Sequence, residues 1–146
     1  MLELLLFGLF ALQQTPNADG IDREQLQRDV SVARQRAAMV ASILDAVREN
    51  DQTKLRSLKV LGVKYTSDFG AKPRERNDAR FSAASLAQFN ECKPSRPSGS
   101  GINWVSVHWN CDPQLSKRSV RTAFRFDGMR VIEIRTGAGA PLLRLQ

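Results

Sequence analysis

The chain has 146 residues, 42% hydrophobic and 25% charged, which suits one globular domain that buries a core without metals or a dense disulfide framework. Its 22 Lys and Arg outnumber its 15 Asp and Glu, leaving a net charge of +7. Two cysteines outside any C-x-x-C spacing and a single histidine, His108, argue against a zinc or thioredoxin-type site, and no cofactor is expected.

The apolar run Leu4 to Leu12 is too short to span a bilayer of about 30 Å, which takes roughly 20 residues. It matches the apolar core of a secretory signal, with Gln13 to Gly20 as the polar region behind it. No Lys or Arg precedes the run, and only Ala11 and Ala18 offer small residues for cleavage. Residues 1–18 are therefore expected to be a leader, with the alternatives of a packed N-terminal helix or an uncleaved anchor. The resulting expectation is a secreted or periplasmic protein.

From Leu26 the apolar residues fall at Val30, Ala33, Ala37, Val40, Leu44 and Val47, alternating steps of four and three. That is one face of an amphipathic helix of about seven turns, expected to pack on the chain's own sheet. Asp22 caps it, with Gln25 as return partner in a capping box. A second, short helix spans about Thr53 to Val60 and ends at Gly62. Val63 to Phe69 then reads as a strand with Val63, Tyr65 and Phe69 on one phase. Ala71 to Arg80, with alternating charges and Pro73, reads as a surface loop. Ser82 opens another short helix through about Phe89, and Lys93 to Gly101 is a Pro/Ser/Gly connection.

The segment from Val105 to Thr136 announces a three-stranded meander. On its first strand Val105, Val107, Trp109 and Cys111 share the apolar phase, opposite Trp104, Ser106, His108 and Asn110. A helix packed on that phase would bring Cys92 to Cys111, closing a disulfide loop of about 20 residues worth roughly 3 kcal/mol. Two buried thiols are the alternative. In the following hairpin, a loop of Phe126 to Gly128 sets Thr122 opposite Ile132, Val120 opposite Ile134, and Arg121 opposite Glu133 on the wet face. That register is preferred over a two-residue Asp127-Gly128 turn, which would put Glu133 and Arg135 on the apolar face.

The basic excess is uneven. Asp22 to Asp51 holds five basic and six acidic residues, Lys54 to Arg80 eight against three, and Lys117 to Arg144 seven against two. A solvated basic face is the plainest reading, with an acidic partner or anionic membrane surface as alternatives. Nucleic acid is not expected, because no aromatic residues are interleaved with the basic ones of the Ala71 to Arg80 loop.

In element order, in the segment LRSLKVLGVKYTSDF and in the hairpin FRFDGMRVIEI, residues 22–136 resemble the nuclear-transport-factor-2-like superfamily, with 137–146 left as a tail. The resemblance implies an α+β cone in which a long helix and two short ones cover a curved, mainly antiparallel four-stranded sheet. It also implies a pocket between helix and sheet, lined here by Val40, Leu44, Tyr65, Phe69, Phe89, Trp109, Thr122 and Phe124. Enzymes of the superfamily are expected to place a carboxylate or histidine there. In this chain Asp68 and His108 fall on the opposite phase, so either serves as a catalytic residue only if that phase is inverted, and Asp78 or Glu91 only if a loop brings it in. Ser106 and His108 share a face without a third orienting group, and Gly99 to Gly101 and Gly137 to Gly139 form no phosphate loop.

The expected function is thus a non-catalytic exported module. It would bind a small hydrophobic molecule or a partner protein, unless its pocket is filled by its own side chains. A small-molecule isomerase, cyclase or dehydratase is the alternative, and a basic module for acidic partners or membrane is a third. A homodimer through the outer sheet face is suggested by Trp104, which would otherwise stand exposed there.

Overall fold

The computed structural model describes residues 22–68, 77–111 and 120–138. Helix α1 (Arg23–Arg48) starts where the Asp22 carboxylate accepts hydrogen bonds from the Glu24 and Gln25 amides. The cap is as expected, but the box is not closed: Gln25 reaches forward to Asp29 and not back to the cap. The helix ends in a left-handed Asn50, whose neighbour Asp51 donates to the Ala46 carbonyl and then caps α2 (Gln52–Ser57).

Only the second half of α1 does what its apolar stripe suggested. Val40, Ile43, Leu44, Ala46 and Val47 are buried, whereas Leu26 and Val30 stay 53% and 42% exposed. The stripe is periodic throughout, but a helix of 26 residues, about 39 Å long, outruns the sheet beneath it. Arg36 marks the border. Its guanidinium donates to the Gly128 and Ile102 carbonyls at 2.9 and 3.1 Å and lies 5.3 Å over the Phe126 ring, clamping α1 to two turns.

The sheet has seven strands where four were expected: β1 (Lys64–Asp68), β2 (Asn77–Arg80), β3 (Lys93–Pro94), β4 (Ser98–Gly99), β5 (Trp104–Asn110), β6 (Val120–Asp127) and β7 (Arg130–Ala138). Their order is β2-β1-β7-β6-β5-β3, with β4 also on β5. All pairs are antiparallel except β1 with β7. The added strands come from segments read as irregular. Part of the charged loop becomes the edge strand β2, and the Pro/Ser/Gly connection supplies two-residue ladders on either half of β5. Ala83–Phe89 is a 3-10 helix, opened by the Ser82 amide donating to Ser85 Oγ.

Core and outer phases fall as the alternation predicts. Val105, Val107, Phe124, Ile134 and Tyr65 are buried beneath α1, α2 and the 3-10 helix, while His108 faces outward and is exposed. The hairpin register, however, corrects both loops considered from sequence. Phe126 and Asp127 belong to β6, opposite Val131 and Arg130, and the turn is Gly128-Met129, with Gly128 at a φ of 58° that favours glycine. Ile132 is then an extra residue in β7, because the next pair is Arg125 with Glu133 and the register holds thereafter as Phe124 with Ile134 and Thr122 with Thr136. Glu133 is on the outer phase as intended, but its partner is Arg125 and not Arg121.

Candidate binding site

Of the eight residues expected to line a pocket, Val40, Leu44, Tyr65, Phe89, Trp109 and Phe124 belong to the core cluster, Thr122 joins it through Trp109, and only Leu44, Phe89 and Trp109 line the small cleft there; Phe69 lies outside the described residues. Val40, Leu44, Tyr65, Thr122 and Phe124 are buried, and Trp109 is half-buried at the rim. β5 sets Trp109 opposite Val120, so the indole leans over the neighbouring strand and donates to Thr122 Oγ1 at 2.8 Å. Thr122 Oγ1 lies 2.9 Å from Thr136 Oγ1 on β7, so the polar atoms of this face satisfy one another. The Phe89 ring stacks on Trp109 at 4.7 Å with 7° between planes, and Tyr65 donates its hydroxyl to the Ser85 carbonyl. The 3-10 helix is thus held to the sheet at two points. The cleft among Leu44, Val47, Leu86, Phe89 and Trp109 encloses about 20 Å³, room for one water at most.

Cys92 and Cys111 form a disulfide across the rim of this cleft, with Cα atoms 4.3 Å apart. The pairing was legible; its cause was not. β3 runs antiparallel to the end of β5 with Lys93 opposite Asn110, so the next pair outward is Cys92 with Cys111. Strand pairing, and not a covering helix, brings the sulfurs together.

Of the alternative catalytic residues, His108 and Glu91 do not line the cleft. His108 sits on the exposed phase of β5, where its amide bonds Ser95 Oγ, and Glu91 is exposed. Asp68 pairs with Gly137 across β1 and β7; its side chain and that of Asp78 lie outside the described residues, as does Asp112. Among the described residues the buried polar side chains are Ser106, Thr122, Glu133 and Thr136. Glu133 is on the outer face, its two carboxylate oxygens accepting from Arg125 Nε at 2.8 Å and Arg135 Nε at 2.6 Å. Burial pushes its carboxyl up, but the hydrogen bond and charge of Arg135 and the charge and hydrogen bond of Arg125 together hold it below the ordinary carboxylate value. The same guanidiniums lie 5.9 and 5.2 Å from the Trp104 ring. Trp104 is half-buried under them, which weakens its role as an exposed dimer contact. No group of metal-ligating side chains is present among the described residues.

A second concavity was not anticipated. An open groove of about 430 Å³ runs along the start of β1 and β7, lined by Lys59, Leu61, Gly62, Val63, Lys64, Arg80, Arg130, Val131 and Ile132. The basic excess of Lys54 to Arg80 was the one sign of it in the sequence.

No family model matches the sequence, and no curated protein matches it. Solved structures to which it is similar include a protein described as a SnoaL-like polyketide cyclase, from Jannaschia sp. CCS1, at 12% identity and a TM-score of 0.47, covering 74% of this chain and 88% of that one. Another is Bal32a from a soil-derived mobile gene cassette, at 17% identity and 0.46, over 75% and 92%. A third is a phenazine biosynthesis-related protein from Pseudomonas aeruginosa, at 12% and 0.45, over 78% and 85%. In the order of its elements, the chain resembles the nuclear-transport-factor-2-like α+β proteins, as its sequence suggested.

Proposed function

We propose that this protein is a non-catalytic binding or interaction module whose interior is a structural core. The observation that carries this reading is the closure of the helix-facing cleft. Phe89 stacked on Trp109 fills it, and the Trp109, Thr122 and Thr136 polar atoms bond to one another. A pocket for a drug-sized molecule has several hundred cubic ångströms, more than tenfold the space here. A proton-transfer enzyme further needs an acid or base within hydrogen-bonding reach of its substrate. The titratable groups considered for that role either face outward or lie outside the described residues. Export fits the Cys92–Cys111 bond, since disulfides persist in oxidising compartments. No helix among the described residues is long and apolar enough to cross a membrane.

The test is uptake of a neutral apolar probe such as a steroid ketone, read by quenching of Trp109 in a Trp104→Phe background. The wild-type core should show no saturable quenching. Phe89→Ala, which removes the stacked ring, should acquire it while losing roughly 3–5 kcal/mol of stability. Saturable binding by the wild type, or isomerisation of such a probe that His108→Ala abolishes, would overturn the proposal.

A further inference from the structure

We propose that the groove at the start of β1 and β7 binds a small amphipathic anion, with a carboxylate or phosphate head held by Lys64, Arg80, Arg130 and Lys59 and an apolar body laid on Leu61, Val63 and Ile132. This deepens the binding-module reading by naming a ligand class and a site. It rests on that reading only in placing the ligand outside the core.

The charge of the groove favours an anion. Lys64 and Arg80 are direct cross-strand partners, an arrangement in which like charges on one face destabilise a sheet. Among the described residues none of the four cations forms an ion pair. Among the described side chains two carboxylates lie nearby, and neither neutralises them. Glu133 is beside Lys64 on the adjacent strand but is engaged by Arg125 and Arg135, and Asp127 opposes Arg130 without an ion pair. An anion in the groove would meet four donors and, among the described residues, no competing carboxylate from its lining.

The shape of the groove suits an apolar body. The bulge at Ile132 inserts an apolar residue that a regular ladder would omit and sets it in the groove wall. Gly62, at a φ of 79° and with open space where a Cβ would stand, keeps the floor clear, and Arg80 Nη1 is anchored 3.0 Å from the Gly62 carbonyl. Lys59 follows the end of α2 in the left-handed conformation, φ 56°, where glycine is the favoured residue. The chain thus carries a cation at a strained position on the groove. The volume of about 430 Å³ lies within the range of small-molecule sites.

Titration of the full chain with monomeric decanoate, followed by calorimetry and by amide chemical shifts, tests this. Decanoate should bind once per chain, perturb Leu61 to Lys64 and Arg130 to Ile132, and weaken as salt is raised. K64Q/R80Q should lose at least tenfold in affinity while melting at or above the wild-type temperature, because a like-charge pair has been removed. Lys59→Gly should likewise melt higher and bind several-fold more weakly. Decanol and inorganic phosphate should each bind at least tenfold more weakly than decanoate. Equal binding by decanol, by phosphate or by K64Q/R80Q would overturn the assignment, as would binding to phosphatidylglycerol vesicles without binding to monomeric decanoate. Absence of decanoate binding anywhere would overturn this inference and leave the proposed function standing. Shifts confined to Trp109 and Phe89 would overturn both.

Discussion

Glu133→Gln is the substitution whose effect the structure sizes most directly. The wild-type carboxylate is 4% exposed and accepts from two guanidiniums that are themselves 43% and 41% exposed. Breaking a fully buried ion pair costs roughly 3–5 kcal/mol, and breaking an exposed one between 0 and about 1. Here the acid is desolvated while both bases keep water when the partner goes, which places the loss between those limits. Glutamine retains one carbonyl acceptor but turns its amide donors toward a guanidinium, so a loss of about 1–2 kcal/mol is expected at pH 7. The pH dependence gives a second readout. Because the folded-state pKa of Glu133 is lowered, its contribution is present above the unfolded value of about 4.3 and disappears as pH falls through the lower folded value. Urea unfolding of both proteins from pH 7 to pH 3 isolates this group, since the other carboxylates titrate in both. The stability gap should narrow below about pH 4. A variant as stable as the wild type at pH 7, or a gap that does not change with pH, would refute this account of the outer face.

Two further expectations concern the ends of the fold. Replacing Cys92 and Cys111 by Ser opens a loop whose ends are 19 residues apart and should cost about 3 kcal/mol, measured by urea unfolding against the oxidised wild type; mass measurement after alkylation without reductant should find no free thiol in protein taken from an oxidising compartment. Leu26→Gln with Val30→Gln should change stability by less than about 0.5 kcal/mol, because both side chains are already exposed. A larger loss, or a change of oligomeric state on sizing, would show that another surface covers this half of α1.

What the sequence determined by itself was phase. Side chains alternate along a strand whatever its neighbours do, so Tyr65, Val107, Trp109 and Phe124 could be assigned to the core face and His108 to the outer face from residue order alone. The Asp22 cap was legible because it depends on residues a few positions apart; the cysteine pair was expected too, but through a covering helix and not through the pairing of β3 with β5 that forms it. Register was another matter. It depends on which residues close the turn, and FRFDGMRV permits several turns; the observed one places Gly128 first and absorbs the mismatch in a bulge at Ile132. The extent of burial along α1 was equally hidden, since Leu26 and Leu44 are equivalent in the apolar repeat and differ only in whether the sheet reaches them. Whether the core face holds a cavity was decided by the stacking of Phe89 on Trp109, which no pattern of residue types encodes. The basic groove is tertiary in the same sense: Lys59, Lys64, Arg80 and Arg130 are spread over 72 positions of sequence and meet only because β1 pairs with β2 on one side and with β7 on the other.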